Sequence, residues 1–74
     1  MSENDVIEAS INGNAHRLSA VARIPDALEA VGIDREMRGV AVALNGEVVP
    51  RSRWQEVTIP AAACIEIVTA TQGG

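Results

Sequence analysis

VIEASINGNAHRLSAVARIPDALEAVG, residues 6–32, changes its hydrophobic period once, and that change sets the fold. From Val6 to Ile11 the apolar residues alternate, placing Ile7, Ala9 and Ile11 on one face of a strand. Asn12-Gly13 follows, and both residue types accept the positive φ that a type I′ hairpin turn requires. Ala15 to Ser19 is then the returning strand. Beyond it the spacing becomes helical, with Ile24, Ala27, Leu28 and Val31 at i, i+3, i+4 and i+7. Pro25 suits the first turn, where its missing N–H leaves nothing unpaired. Asp26 and Glu29 lie towards the positive end of the helix dipole. Gly32 supplies a left-handed residue to stop the helix. About two turns of helix are too few to stand alone, so this one must pack on a sheet.

Downstream, residues 33–39 form a charged connector. Val40 to Leu44 reads as a strand whose odd members, Ala41 and Ala43, are small. Asn45-Gly46 is a second hairpin signal leading into Glu47-Val48-Val49, and Pro50 ends that strand by removing a ladder donor. Arg51, Ser52, Arg53 and Trp54 make a turn, and Val57 and Ile59 are read as a further short strand. Cys64 to Ala70 is the last strand, followed by Thr71-Gln72-Gly73-Gly74. This order gives an α+β domain, a mixed sheet of four to five strands with one helix on one face. The β-grasp is the compact arrangement that fits it. Residues 1–70 are expected to be the single domain and 71–74 a flexible tail.

Composition narrows the function. With 74 residues and 7.8 kDa there is one core. The net charge of −4 would be repelled by a phosphate backbone or an anionic membrane, so nucleic-acid and membrane binding are not expected. A single cysteine forms no intramolecular disulfide. The start, Met1-Ser2-Glu3-Asn4-Asp5, lacks the basic and apolar regions of a signal peptide. The longest aliphatic run, Val40 to Leu44, is far below the ~20 residues that span a bilayer. A cytoplasmic protein, monomeric when free, is the expectation. All six basic residues are arginine, which excludes lysine Schiff-base chemistry and side-chain isopeptide acceptance. One His, one Cys and no Tyr hardly assemble a catalytic constellation, so the chain is not expected to be an enzyme. His16 has no second ligand candidate nearby, and a tetrahedral metal site needs several.

The tail carries the chemistry. A terminal Gly-Gly arises by chance in about one chain in 200, so alone it is a weak signal. Glycine has no Cβ, however, and a glycine strand enters channels too narrow for other residues. The four residues past Ala70, at about 3.3–3.6 Å each, reach roughly 13–14 Å, enough to place the terminal carboxylate inside a partner. Joined to AMP by that partner, the acyl carbon gains a good leaving group and can accept sulfur.

Two segments point to a family. GVAVALNGEVVPRSRW, residues 39–54, and IEIVTATQGG, residues 65–74, closely resemble the thiamine-biosynthesis sulfur carriers of the ThiS type, ubiquitin-like β-grasp proteins. The resemblance implies that an ATP-dependent enzyme of the ThiF type adenylates Gly74, and that a sulfur relay from a persulfide-type donor converts it to a thiocarboxylate. Thiazole synthase (ThiG) then takes the sulfur while the thiazole ring of thiamine is built. Gly74 is the modified residue, and Gly73 and Gln72 thread into the partner. ATP and magnesium belong to the activating partner, and this chain binds no cofactor of its own. Two turns depart from the family pattern: Pro60-Ala61-Ala62-Ala63-Cys64 replaces an acidic, glycine-containing turn, and Ala20-Val21-Ala22-Arg23 lacks a glycine often found there.

The small side chains Ala41 and Ala43 suggest a flat apolar face that, with Val49 nearby, docks partners through a modest transient interface. Trp54, the only aromatic, is read as a plug at a sheet corner, with partner contact as the alternative. Arg51 and Arg53 are read as solvated surface residues in preference to contacts for an acidic partner. Cys64, between Ala63 and Ile65, is read as a small buried hydrophobe in preference to a sulfur-relay thiol. Two other functions remain open: the related carrier of molybdopterin synthesis (MoaD-like), and a non-carrier β-grasp interaction module whose glycines are incidental.

Overall fold

The computed structural model describes Ser2 and residues 4–70. Strands β1 (Val6–Ile11) and β2 (Asn14–Ser19) form the first hairpin, followed by helix α1 (Ile24–Ala30). Strands β3 (Val40–Leu44) and β4 (Glu47–Val49) form the second hairpin, a short 3₁₀ turn covers Arg51–Arg53, and β5 (Cys64–Thr69) closes the sheet. The sheet order is β2-β1-β5-β3-β4. β1 and β5 run parallel, while the pairs β1–β2, β3–β4 and β3–β5 are antiparallel. The last strand therefore lies at the centre, between the two hairpins, as a β-grasp requires.

Both Asn-Gly turns adopt the expected conformation, with φ of 52° and 85° at Asn12 and Gly13 and of 50° and 87° at Asn45 and Gly46. Their asparagines also reach across to β5. The Asn12 side chain accepts from the Ile67 N–H at 2.8 Å and donates to the Ile67 carbonyl at 3.1 Å. The Asn45 side chain accepts from the Cys64 N–H at 2.8 Å. Each turn residue thus continues the ladder sideways and fixes the register of the central strand.

Helix α1 begins where the Asp26 carboxylate accepts the Arg23 N–H at 2.8 Å, one half of a capping box. It ends at Gly32, φ 77°, in a Schellman motif: Gly32 N–H donates to Glu29 and Ile33 N–H to Leu28. Ile24, Ala27 and Leu28 bury the helix stripe against Ile7, Ile11, Val42 and Ile65 of the sheet, with Val31 half-buried at its end. Trp54 lies in the same core and its Nε1 donates to the Val49 carbonyl at 2.9 Å, which is the corner plug read from the sequence.

Two readings of the strands change. Residues 57–59 form no strand of their own: Thr58 makes one isolated bridge to Arg23, while the Ile59 N–H donates to the Ala22 carbonyl at 2.9 Å. Pro60 limits any extension of that pairing. Cys64 is exposed, not buried, because Ala63, Ile65 and Ile67 take the inward parity and leave Cys64 on the outer face.

Candidate functional site

The site is the carboxyl end of β5 and the surface around it. Gln72, Gly73 and Gly74 lie outside the described residues, so the site is built up to Ala70. The two ends of β5 are held differently. At its start, the Ser10 N–H donates to the Ala63 carbonyl at 2.9 Å and the Ala62 N–H to the Glu8 carbonyl at 2.7 Å, while Asn45 holds the other side. Pairing with β1 covers Cys64 and Ile65 and reaches Ile67 through the Asn12 side chain. Val68 and Thr69 are paired only with β3, opposite Ala41 and Val40. The last contact before the tail is the Ala70 N–H donating to the Gly39 carbonyl at 2.7 Å.

Gly39 is required there for two reasons. Its φ of 76° is a left-handed conformation, and a Cβ would lie 3.2 Å from the Ala70 Cβ. The connector carrying Gly39 is fixed by Arg51, whose guanidinium donates to the carbonyls of Arg35 at 2.6 Å and Met37 at 2.5 Å. The same guanidinium stacks 4.4 Å from the centroid of the Trp54 ring. Arg51 is thus a clamp, not the freely solvated cation read from the sequence. Arg53 does remain at the surface, 3.9 Å from Glu56.

The four residues expected to dock partners separate into two pairs. Ala41 and Ala43 lie on the outer face of the sheet, exposed and half-buried respectively. Val49 and Trp54 face the core, 9% and 3% exposed, and are not part of that surface. The reason is register: Val49 pairs with Val42, an inward residue, so Val48 is the member of β4 that points outward. Val48 opposes Ala43 and Val68 opposes Ala41, and at 74% and 65% exposure these valines extend the small-residue surface towards Ala70, with the exposed Glu66 opposite Ala43 on the same face. Sequence reading missed both. The signal was present for Val68, which shares the parity of Cys64 and Glu66, opposite to buried Ile65 and Ile67.

Among the described residues no group of three or more His, Cys, Asp or Glu side chains is placed to hold a metal ion, and no helix is long and apolar enough to cross a membrane. One open cleft of about 430 Å³ among the described residues is lined by Glu8, Ser10, Ala15 and Ala61–Ala63.

A five-stranded β-grasp body whose outer sheet face carries Ala41, Ala43, Val48 and Val68 around the exposed Glu66 places the arrangement among ubiquitin-like folds. The ThiS family model matches residues 4–74, and the chain belongs to that family. Members of the family are small sulfur carriers rather than catalysts, and work with the enzymes of thiamine biosynthesis. Among solved structures, the thiamine biosynthesis protein (ThiS) from Geobacter metallireducens is similar in fold, with a TM-score of 0.73 at 23% identity over 92% of this chain and 100% of that one. No curated protein sequence matches the chain.

Proposed function

We propose that Gly74 is the sulfur-bearing residue of a carrier for thiazole formation. The family match, which runs through the terminal Gly73-Gly74, is the observation that carries this reading. A ThiF-type enzyme binds ATP and magnesium. The Gly74 carboxylate attacks the α-phosphorus of ATP and displaces pyrophosphate. A persulfide-type donor then attacks the acyl carbon and expels AMP, and reductive cleavage of the sulfur–sulfur bond by a thiol leaves the thiocarboxylate. Thiazole synthase of the ThiG type is the acceptor. The chain contributes no acid, base or metal to these steps; it presents a carboxylate on a stem slender enough to enter the partner's active site.

The docking surface for both enzymes is the patch of Ala41, Ala43, Val48 and Val68. It lies on the outer face of β3, β4 and β5, and Val68 stands two residues before Ala70, so a partner covering it reaches the end of the last strand. Charging it with Val48→Asp or Val68→Asp leaves the fold intact, because both side chains are largely exposed, and raises the KM of the carrier with the activating enzyme. An unchanged KM in both variants would show that the enzyme docks elsewhere.

Cys64 is not the relay thiol for its own tail. It stands six residues before Ala70, about 20 Å away along an extended strand. The four tail residues reach only about 13–14 Å, and doubling back would consume some of that length. Sulfur arrives from another protein, and Cys64→Ser retains full thiocarboxylate formation. Mass spectrometry of the full chain and of a Gly74 deletion, after incubation with the activating enzyme, ATP, magnesium and a persulfide donor, tests the central assignment.

A further inference from the structure

Arg51 and Trp54 belong to a motif that carrier chemistry leaves unexplained: neither side chain lies on the docking patch or in the tail. We propose that Arg51 is a positioning residue for the end of the last strand, fixing through Gly39 the place of Ala70, the residue from which the terminal segment continues. The proposal rests on the carrier reading for its kinetic consequence and on the described geometry alone for the rest.

The connector between α1 and β3 has little else to hold its middle. Among the described residues before Gly39, the connector's hydrogen bonds besides those of Arg51 are local: Glu36 N–H to the Asp34 carboxylate at 2.8 Å, Met37 N–H to the Asp34 carbonyl at 2.9 Å, and Ile33 to the helix end. Arg51 reaches it from the far side of the second hairpin and bridges two carbonyls, of Arg35 and Met37, with the two arms of one guanidinium. A planar fork suits that bridge, and a lysine ammonium, a single point on a flexible stem, does not reproduce it. Trp54 holds the guanidinium plane from below, and the Trp54 ring is itself fixed by burial and by its bond to Val49. Two residues after Met37, Gly39 makes the last described hydrogen bond to β5, at a place where β5 has lost its partner on the other side. The path from a buried ring to the tail root is therefore continuous: Trp54, Arg51, the Met37 carbonyl, Gly39, Ala70.

A tail whose root is fixed needs less ordering when a partner captures it, which strengthens binding without altering the chemical step. Arg51→Lys and Arg51→Ala in the full chain test this by amide hydrogen exchange and by adenylation kinetics. The Ala70 amide, bonded to Gly39, is expected to exchange roughly tenfold faster in both variants, beyond any change at the Ile65 and Ile67 amides. With the activating enzyme, KM is expected to rise several-fold at unchanged kcat. A purely structural role would lower the melting temperature and speed all sheet amides together. Ala70 exchange that tracks Ile65 overturns the proposal, and so does faster Ala70 exchange with an unchanged KM. If the unmodified chain is itself not adenylated, the carrier reading fails, while the exchange comparison still decides whether Arg51 holds the tail root.

Discussion

The two ends of β5 are built on one strand and behave as opposites. At Cys64 the strand is gripped from both sides, by the Glu8 and Ser10 backbone on β1 and by Asn45 at the end of β3. At Ala70 it is gripped from one side, by a single carbonyl of Gly39. Each end depends on a residue in the left-handed region: Ala62, φ 62°, before the strand, and Gly39, φ 76°, beside its end. The start tolerates an alanine in that conformation because its surroundings over-determine it. The finish uses glycine, where a Cβ would also press on Ala70. The difference separates a redundant anchor from a lightly held end: strain is borne where the sheet is redundant and avoided where one hydrogen bond holds Ala70.

Substitutions can break or sharpen this contrast. Gly39→Ala is expected to have the largest effect, a loss of roughly 2 kcal/mol from left-handed strain and the close approach to Ala70. For a domain of this size that lowers the melting temperature by about 8–16 °C. A loss no larger than a few tenths would erase the distinction between the two positions. Asn12→Ala removes both bonds to Ile67, puts alanine at φ 52° and is expected to cost about 1–2 kcal/mol in chemical denaturation. The decrease in Ile67 amide protection should exceed that at Val42. Ala62→Gly runs the other way. Relief of the left-handed strain, less the extra chain entropy of glycine, stabilises by ~0.5–1 kcal/mol. A destabilised variant would mean that the Ala62 methyl contributes packing that outweighs its strain. Arg53→Ala is the smallest: its pairing with Glu56 at 3.9 Å is between exposed side chains, and no measurable change in melting temperature is expected.

What could be read from the chain alone follows the same division. The β1–β2 hairpin, the helix with its Gly32 stop and the second Asn-Gly turn were legible because each is decided by local spacing and turn chemistry. The family was legible because residues 39–54 and 65–74 carry its pattern, and the family model matches residues 4–74. The facing of Val49 and Trp54 was not, since it depends on how β4 registers against β3, and a one-residue shift exchanges the faces. Cys64 was misplaced although the alternation Ala63, Ile65, Ile67 already assigned it outward. The role of Arg51 was invisible for another reason: its partners are backbone carbonyls fourteen and sixteen residues earlier, and carbonyls carry no sequence signature.

The most direct test of the central claim is the intact mass of the full chain after incubation with a ThiF-type enzyme, ATP, magnesium and a persulfide donor. The carrier account predicts a gain equal to one oxygen replaced by one sulfur, located on Gly74 and absent from a chain lacking that residue. An unchanged mass, alongside an enzyme that modifies its own carrier under the same conditions, would contradict it.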